Sequence, residues 1–174
     1  MVIHPPVSLY NEWDKKAART MTERERLVKI LSDSHEAMQA ALDAAPRDVP
    51  VAGEWTIKEV IDHLTGWDDI TIQTLRAFID GEMSETTMVR VELFNKQIIF
   101  IRRGLALEQS VAEWKKRRER LLWLIRQVPD DKLGQEMRFP WGGEGYVRDL
   151  VHQLAAHESE HAEEIIKAVE GVVR

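Results

Sequence analysis

From Tyr146 to about Val169 the chain carries one stripe in steps of three and four: Val147, Leu150, Leu154, His157, His161, Ile165, Ala168 and Val172. That spacing is the repeat of an amphipathic helix, so a long helix is expected here, with Gly171 as its stop. Two of the stripe positions are imidazoles. A surface pair would instead share a face with Glu160, Glu163 and Glu164. An inward polar group left without a partner costs about 1 to 3 kcal/mol. A lone inward histidine is usually satisfied by a neighbour, but two in consecutive turns favour a shared metal ion.

Three further helical stretches are expected, with no alternation of period two that would mark a strand. The first runs from about Glu23 to Ala44, opened by a Thr22 and Glu25 capping box and buried through Leu27, Leu31, Ser34, Met38 and Ala41. The second opens on a Thr56 and Glu59 box, buries Ile57, Ile61, Leu64, Asp68 and Thr71, and stops at Gly81. The third starts after Glu85-Thr86-Thr87, is interrupted at Gly104, resumes near Glu108 and ends in a turn at Val128-Pro129-Asp130-Asp131. Arg138 to Gly145 reads as a loop. No repeat or linker interrupts the pattern, so residues 1–21 are expected to be an N-terminal extension and 22–174 a single domain. Four long amphipathic helices predict an all-α four-helix bundle.

Cysteine is absent, which leaves histidine and carboxylate as the metal ligands available. The N-terminal residues lack an apolar run long enough for a signal peptide, and no stretch is long enough to span a membrane. A cytoplasmic protein is the expectation. The net charge of −6 argues against a nucleic-acid partner. The one basic cluster, Lys115 to Arg118 with Arg120, alternates with Glu113 and Glu119 and reads as a solvated helix face. Six Trp is high for 174 residues, so some are expected to line a cavity or an interface.

The string His157-Glu158-Ser159-Glu160-His161 also matches the zinc protease pattern of two ligands and a general base. Its context does not. Glu164 and Lys167 stand where one protease class needs Gly and His, and only thirteen residues follow His161, too few for a further ligand-bearing helix. The third ligand must therefore come from another helix. His63, in the row Val60, His63, Trp67 and Ile70, is the choice, with His35 as competitor on the row Leu31, His35, Met38 and Leu42. His152 lies off its stripe, and His4 lies in an irregular tail.

Gly53-Glu54-Trp55-Thr56, then His63-Leu64-Thr65-Gly66-Trp67-Asp68, then Asn95 after Phe94 and the final histidine pair together resemble the DinB/YfiT-like superfamily of metal-dependent helical bundles, over roughly residues 22–170. The resemblance implies a four-helix bundle, often a homodimer, holding one divalent metal through His63, His157 and His161. It makes His35 a bystander. Relatives include thiol-dependent transferases or isomerases and a hydrolase, so a small-molecule substrate and a low-molecular-weight thiol are implied, without a thiol signature in the chain itself.

Three functions compete. In the first, a three-histidine metal, zinc or nickel by the preference of imidazole, activates a thiol or a water. Glu158 would then be a proton acceptor or a partner behind a ligand, although an exposed surface position is the expectation for it. Trp67, Asn95 and Trp141 are candidates for the pocket wall, with ordinary packing as the alternative for each. The second function is a di-iron protein, which needs two Glu-x-x-His motifs, and only Glu158 with His161 supplies one. The third is a non-catalytic stress or interaction protein with a structural metal.

Overall fold

The computed structural model describes residues 21–45, 50–82 and 90–172. Its elements are α1 (Glu23–Ala44), β1 (Pro50–Ala52), β2 (Trp55–Thr56), α2 (Ile57–Asp80), α3 (Val91–Arg102), α4 (Leu107–Gln127), α5 (Asp130–Leu133), β3 (Met137–Arg138), β4 (Glu144–Gly145) and α6 (Val147–Val172). The all-α four-helix bundle forms from α1, α2, α4 and α6. Helix α1 packs along α6 and α4, and α2 packs along α4, while α2 and α6 approach each other less closely. Among the described residues, no helix is long and apolar enough to cross a membrane.

Both predicted capping boxes are present. Thr22 and Glu25 open α1, Thr56 and Glu59 open α2, and α2 ends on Gly81 with φ 75°. The expected inward residues of α1 are its buried ones. Three expectations need correction. Two small antiparallel hairpins, β1 with β2 and β3 with β4, replace irregular loop, the second turning through Gly142 and Gly143 at φ 100° and 84°. The turn after Val128 contains the short helix α5. Helix α6 runs through Gly171 to Val172, and Gly171 does not take the left-handed conformation in which a glycine commonly caps a helix. Residues 1–20, His4 and the expected third-helix start after Glu85-Thr86-Thr87 lie outside the described residues.

The core is divided into two apolar clusters. One gathers Leu27, Leu31, Leu75, Leu121, Ile125, Leu150 and Leu154. The other gathers Met38, Ile57, Ile61, Trp114, Ala162 and Ile165. Between them lies a polar layer with one side chain from each long helix: Ser34, Asp68, Arg118 and Glu158, all buried. This corrects two sequence readings. Glu158 is fully buried rather than exposed, because it sits four residues after Leu154 and four before Ala162 on the true inward face of α6. Arg118 is not on a solvated face, because it continues the stripe Trp114, Leu121 and Ile125 of α4. The paired histidines of α6 lie one step round the helix, at the edge of that stripe and half-buried.

Helix α3 lies across α2 at Gly66. A Cβ there would come 2.9 Å from Ile98 Cδ1 and closer still to its Cγ1, so only a glycine permits this approach. At the far end of α3, Arg102 donates to Asp62 at 2.8 Å, and Ser110 of α4 donates to the same carboxylate at 2.6 Å. These contacts fix α3 and the Asn95 it carries beside α2.

Candidate metal centre

Helix α2 brings in His63, and α6 brings in His157 and His161. His63 Nε2 lies 2.9 Å from His157 Nε2, which lies 3.2 Å from His161 Nε2. One ring nitrogen from each residue falls within 4.8 Å of the others. The structure thus brings together the three histidines expected from the sequence. It leaves out His35, whose ring instead packs at a tilt against Trp114 with ring centres 4.4 Å apart, and His152, which is exposed.

The donor set fits a divalent cation. Three imidazole ligands about 2.0 to 2.1 Å from one zinc would stand roughly 3.3 Å apart in a tetrahedral site. Two of the observed separations are close to that value. Only one nitrogen of a facing pair can carry a proton, and a cation accepts lone pairs from all three. Burial, followed by the charges of His157 and His161, pushes His63 down to about 3, with Asn95 opposing. Burial, followed by His161 and Arg118, pushes His157 down to about 4, with Glu158 opposing. Both rings are therefore neutral at pH 7, the form that binds metal. His161 Nδ1 lies 2.7 Å from Glu164 Oε2, and a carboxylate behind a ring in this way directs the other nitrogen toward a ligand.

The cluster opens on a pocket of about 510 Å³. Trp67, Asn95 and Trp141 all line it. Trp67 Nε1 donates to Asn95 Oδ1 at 3.1 Å, and Trp141 Nε1 donates to Gln153 Oε1 at 3.0 Å. The edge of Trp67 meets Trp141 with ring centres 5.9 Å apart. Trp55 also lines the pocket, with its ring centre 4.9 Å from that of His63. From the sequence, Trp55 stands out only as part of the family motif, although its place just before the capping box of a histidine-bearing helix is a usable signal. Glu160 and Glu164 complete the acidic side of the wall. They follow His157 by three and seven residues, so the helical repeat turns them to the same side.

Glu158 does not line this pocket. Its Oε1 lies 3.1 Å from Arg118 Nη2 and its Oε2 accepts from Ser34 Oγ at 2.6 Å. Burial pushes its pKa up, but Arg118, His35 and Ser34 outweigh that and hold the carboxyl below its ordinary value. Across the layer, Asp68 Oδ1 lies 3.2 Å from Arg118 Nη2, and burial carries Asp68 up to about 7 despite that cation.

The family model of the DinB superfamily matches residues 26–165. The chain belongs to the DinB superfamily. Two solved structures share the DinB fold seen here. The colibactin self-resistance protein ClbS, in complex with a double-stranded DNA, has a TM-score of 0.69 at 14% identity, with 85% of this chain and 96% of that chain covered. An uncharacterised protein from Escherichia coli UTI89 has a TM-score of 0.69 at 16% identity, with 88% of this chain and 96% of that chain covered. No curated protein matches this chain in sequence.

Proposed function

We propose that this DinB-superfamily protein is a metal-dependent enzyme in which His63, His157 and His161 hold one divalent cation, zinc or nickel, and a thiol or a water attacks a small-molecule substrate in the adjoining pocket. The observation that supports this reading is the convergence of three imidazole nitrogens from two helices at the wall of a pocket of about 510 Å³. A cation held there would supply a Lewis acid that makes a thiol or a water nucleophilic at neutral pH.

The chain's own residues have separate tasks in this proposal. Glu164 orients His161, and burial keeps His63 and His157 unprotonated. Trp67 and Trp141, with their N–H groups tied to Asn95 and Gln153, shape the wall and exclude water from the reacting face. Glu158 lies outside the pocket lining and acts as a positioning residue through Arg118. The homodimer and the cytoplasmic location are parts of the same proposal.

The test is metal content by elemental analysis of tag-free protein, paired with two assays on metal-loaded and chelated samples. One assay follows conjugation of a thiol to an electrophile, and the other follows cleavage of an activated ester or amide. Metal-dependent turnover in either supports the enzyme. A protein that takes up neither zinc nor nickel at neutral pH overturns it, and a filled site silent in both assays moves the reading to a structural metal.

A further inference from the structure

The pocket wall has a chemical bias that the histidines alone do not explain. Glu160 and Glu164 line it from one side of α6, and no Lys or Arg is among the described residues that do. Glu164 is engaged with His161, whereas Glu160 is exposed and has no partner among the described residues. Three indoles complete the wall from three separate segments: Trp55 at the start of β2, Trp67 on α2 and Trp141 in the second hairpin. An indole face attracts a cation more strongly than any other side-chain ring, and the attraction grows as water is excluded. Two of the three indole N–H groups, those of Trp67 and Trp141, are already spent on Asn95 and Gln153. The hydrogen-bond donors left by those two side chains are neutral amides, suited to a carbonyl or hydroxyl oxygen. Away from the histidines, a carboxylate group would lose its hydration beside two glutamates and gain no cationic side chain in return.

We propose that this pocket recognises a small organic cation, a substrate carrying a protonated or quaternary amine, with the ammonium group held by Glu160 against the indole wall of Trp141 and Trp55. The inference rests on the reading of this pocket as the substrate side of the metal centre. It names the class of substrate: an amine-bearing compound whose reacting carbon lies toward the histidines and whose charged nitrogen lies toward Glu160.

Choline, its uncharged isostere 3,3-dimethylbutanol and the anion 3,3-dimethylbutanoate form a probe set of nearly constant shape. Each is titrated into the full chain, both zinc-loaded and chelated, with tryptophan fluorescence and calorimetry as readouts. Choline should bind at least about ten-fold more tightly than the isostere in the chelated protein, and the anion should bind most weakly there. Glu160→Gln should remove most of that preference while leaving the affinity for the isostere within about two-fold, which also shows that the variant is folded. Trp141→Leu should weaken choline more than the isostere. Equal binding of choline and the isostere, tighter binding of the anion in chelated protein, or a preference unchanged in Glu160→Gln would overturn the inference. Zinc content is measured on the same samples. A chain that holds zinc without preferring the cation defeats this inference alone, and one that prefers the cation but takes up neither zinc nor nickel defeats the metal reading alone.

Discussion

The guanidinium of Arg118 lies 3.1 Å from the carboxylate of Glu158, in a layer that separates the two apolar halves of the bundle core. Its other contact, Asp68, belongs to the helix that carries His63, while Glu158 stands between His157 and His161. One buried cation thus ties together the two helices that supply the metal centre. This tie matters because α2 and α6 otherwise make few direct contacts. A buried ion cluster adds little net stability relative to a well-packed apolar layer, but it penalises every register that separates its members.

Arg118→Met is expected to strand two buried carboxylates and cost about 3 to 5 kcal/mol of stability. For a chain of this length that corresponds to a fall of roughly 10 °C in Tm. The triple variant Asp68→Leu, Arg118→Met, Glu158→Leu should recover most of the loss, because no charge remains to be desolvated. Thermal and urea unfolding read both. A cost under about 1 kcal/mol in the single variant would show that the layer does not depend on its cation.

The helices and their caps were legible because they depend on local rules: capping boxes at Thr22 and Thr56, a left-handed glycine at 81, and apolar residues in steps of three and four. The histidine pair was legible for the same reason. The polar layer was written in the same stripes, since Ser34 and Asp68 were already among the inward residues. Arg118 and Glu158 were assigned to solvent on their charge, although their spacing places both inward. What local pattern does not carry is which partners meet across the bundle, and that pairing decides whether a charge can be buried. The β3 and β4 hairpin escaped notice because two-residue strands have too few positions to show alternation.

Metal-free protein should lose stability through its histidines as the pH falls. The folded pKa values of His63 and His157, about 3 and about 4, lie below their ordinary value of 6.5. The unfolded chain therefore binds more protons between those limits, and the contribution is complete above about pH 6.5 and declines as the pH drops toward the folded values. Asp68 works in the opposite direction, since its raised pKa weakens the fold as the pH climbs toward about 7. Comparison with His63→Gln isolates the histidine effect. The difference in unfolding free energy between chelated wild type and variant should change by up to about 1.4 kcal/mol per pH unit between pH 4 and 6. Parallel curves would contradict the assignment.

Single alanine replacements separate the histidines by place. His63→Ala, His157→Ala and His161→Ala should each lower zinc affinity by at least about a hundred-fold, and Glu164→Gln by about ten-fold through the loss of ring orientation. His152→Ala and His35→Ala should retain one zinc per chain. The zinc titration uses a competing chromophoric chelator. A loss with His35→Ala equal to that with His63→Ala would mean that the first helix, not the second, supplies the third ligand.

Gly66→Ala tests how α3 is held against the pocket. The new methyl would overlap the Ile98 side chain, so α3 must move away or Ile98 must leave its rotamer, and overpacking of this kind costs about 1 to 3 kcal/mol. Because α3 carries Asn95, a shift should also loosen the 3.1 Å bond that orients Trp67 and change the indole emission of the pocket. Ile98→Ala removes the obstructing atoms. In the double variant Gly66→Ala, Ile98→Ala, the methyl occupies space that Ile98 has vacated, so its stability should be clearly higher than the sum of the single effects predicts. Additive losses in urea unfolding would show that the glycine serves some need other than the close approach of the two helices.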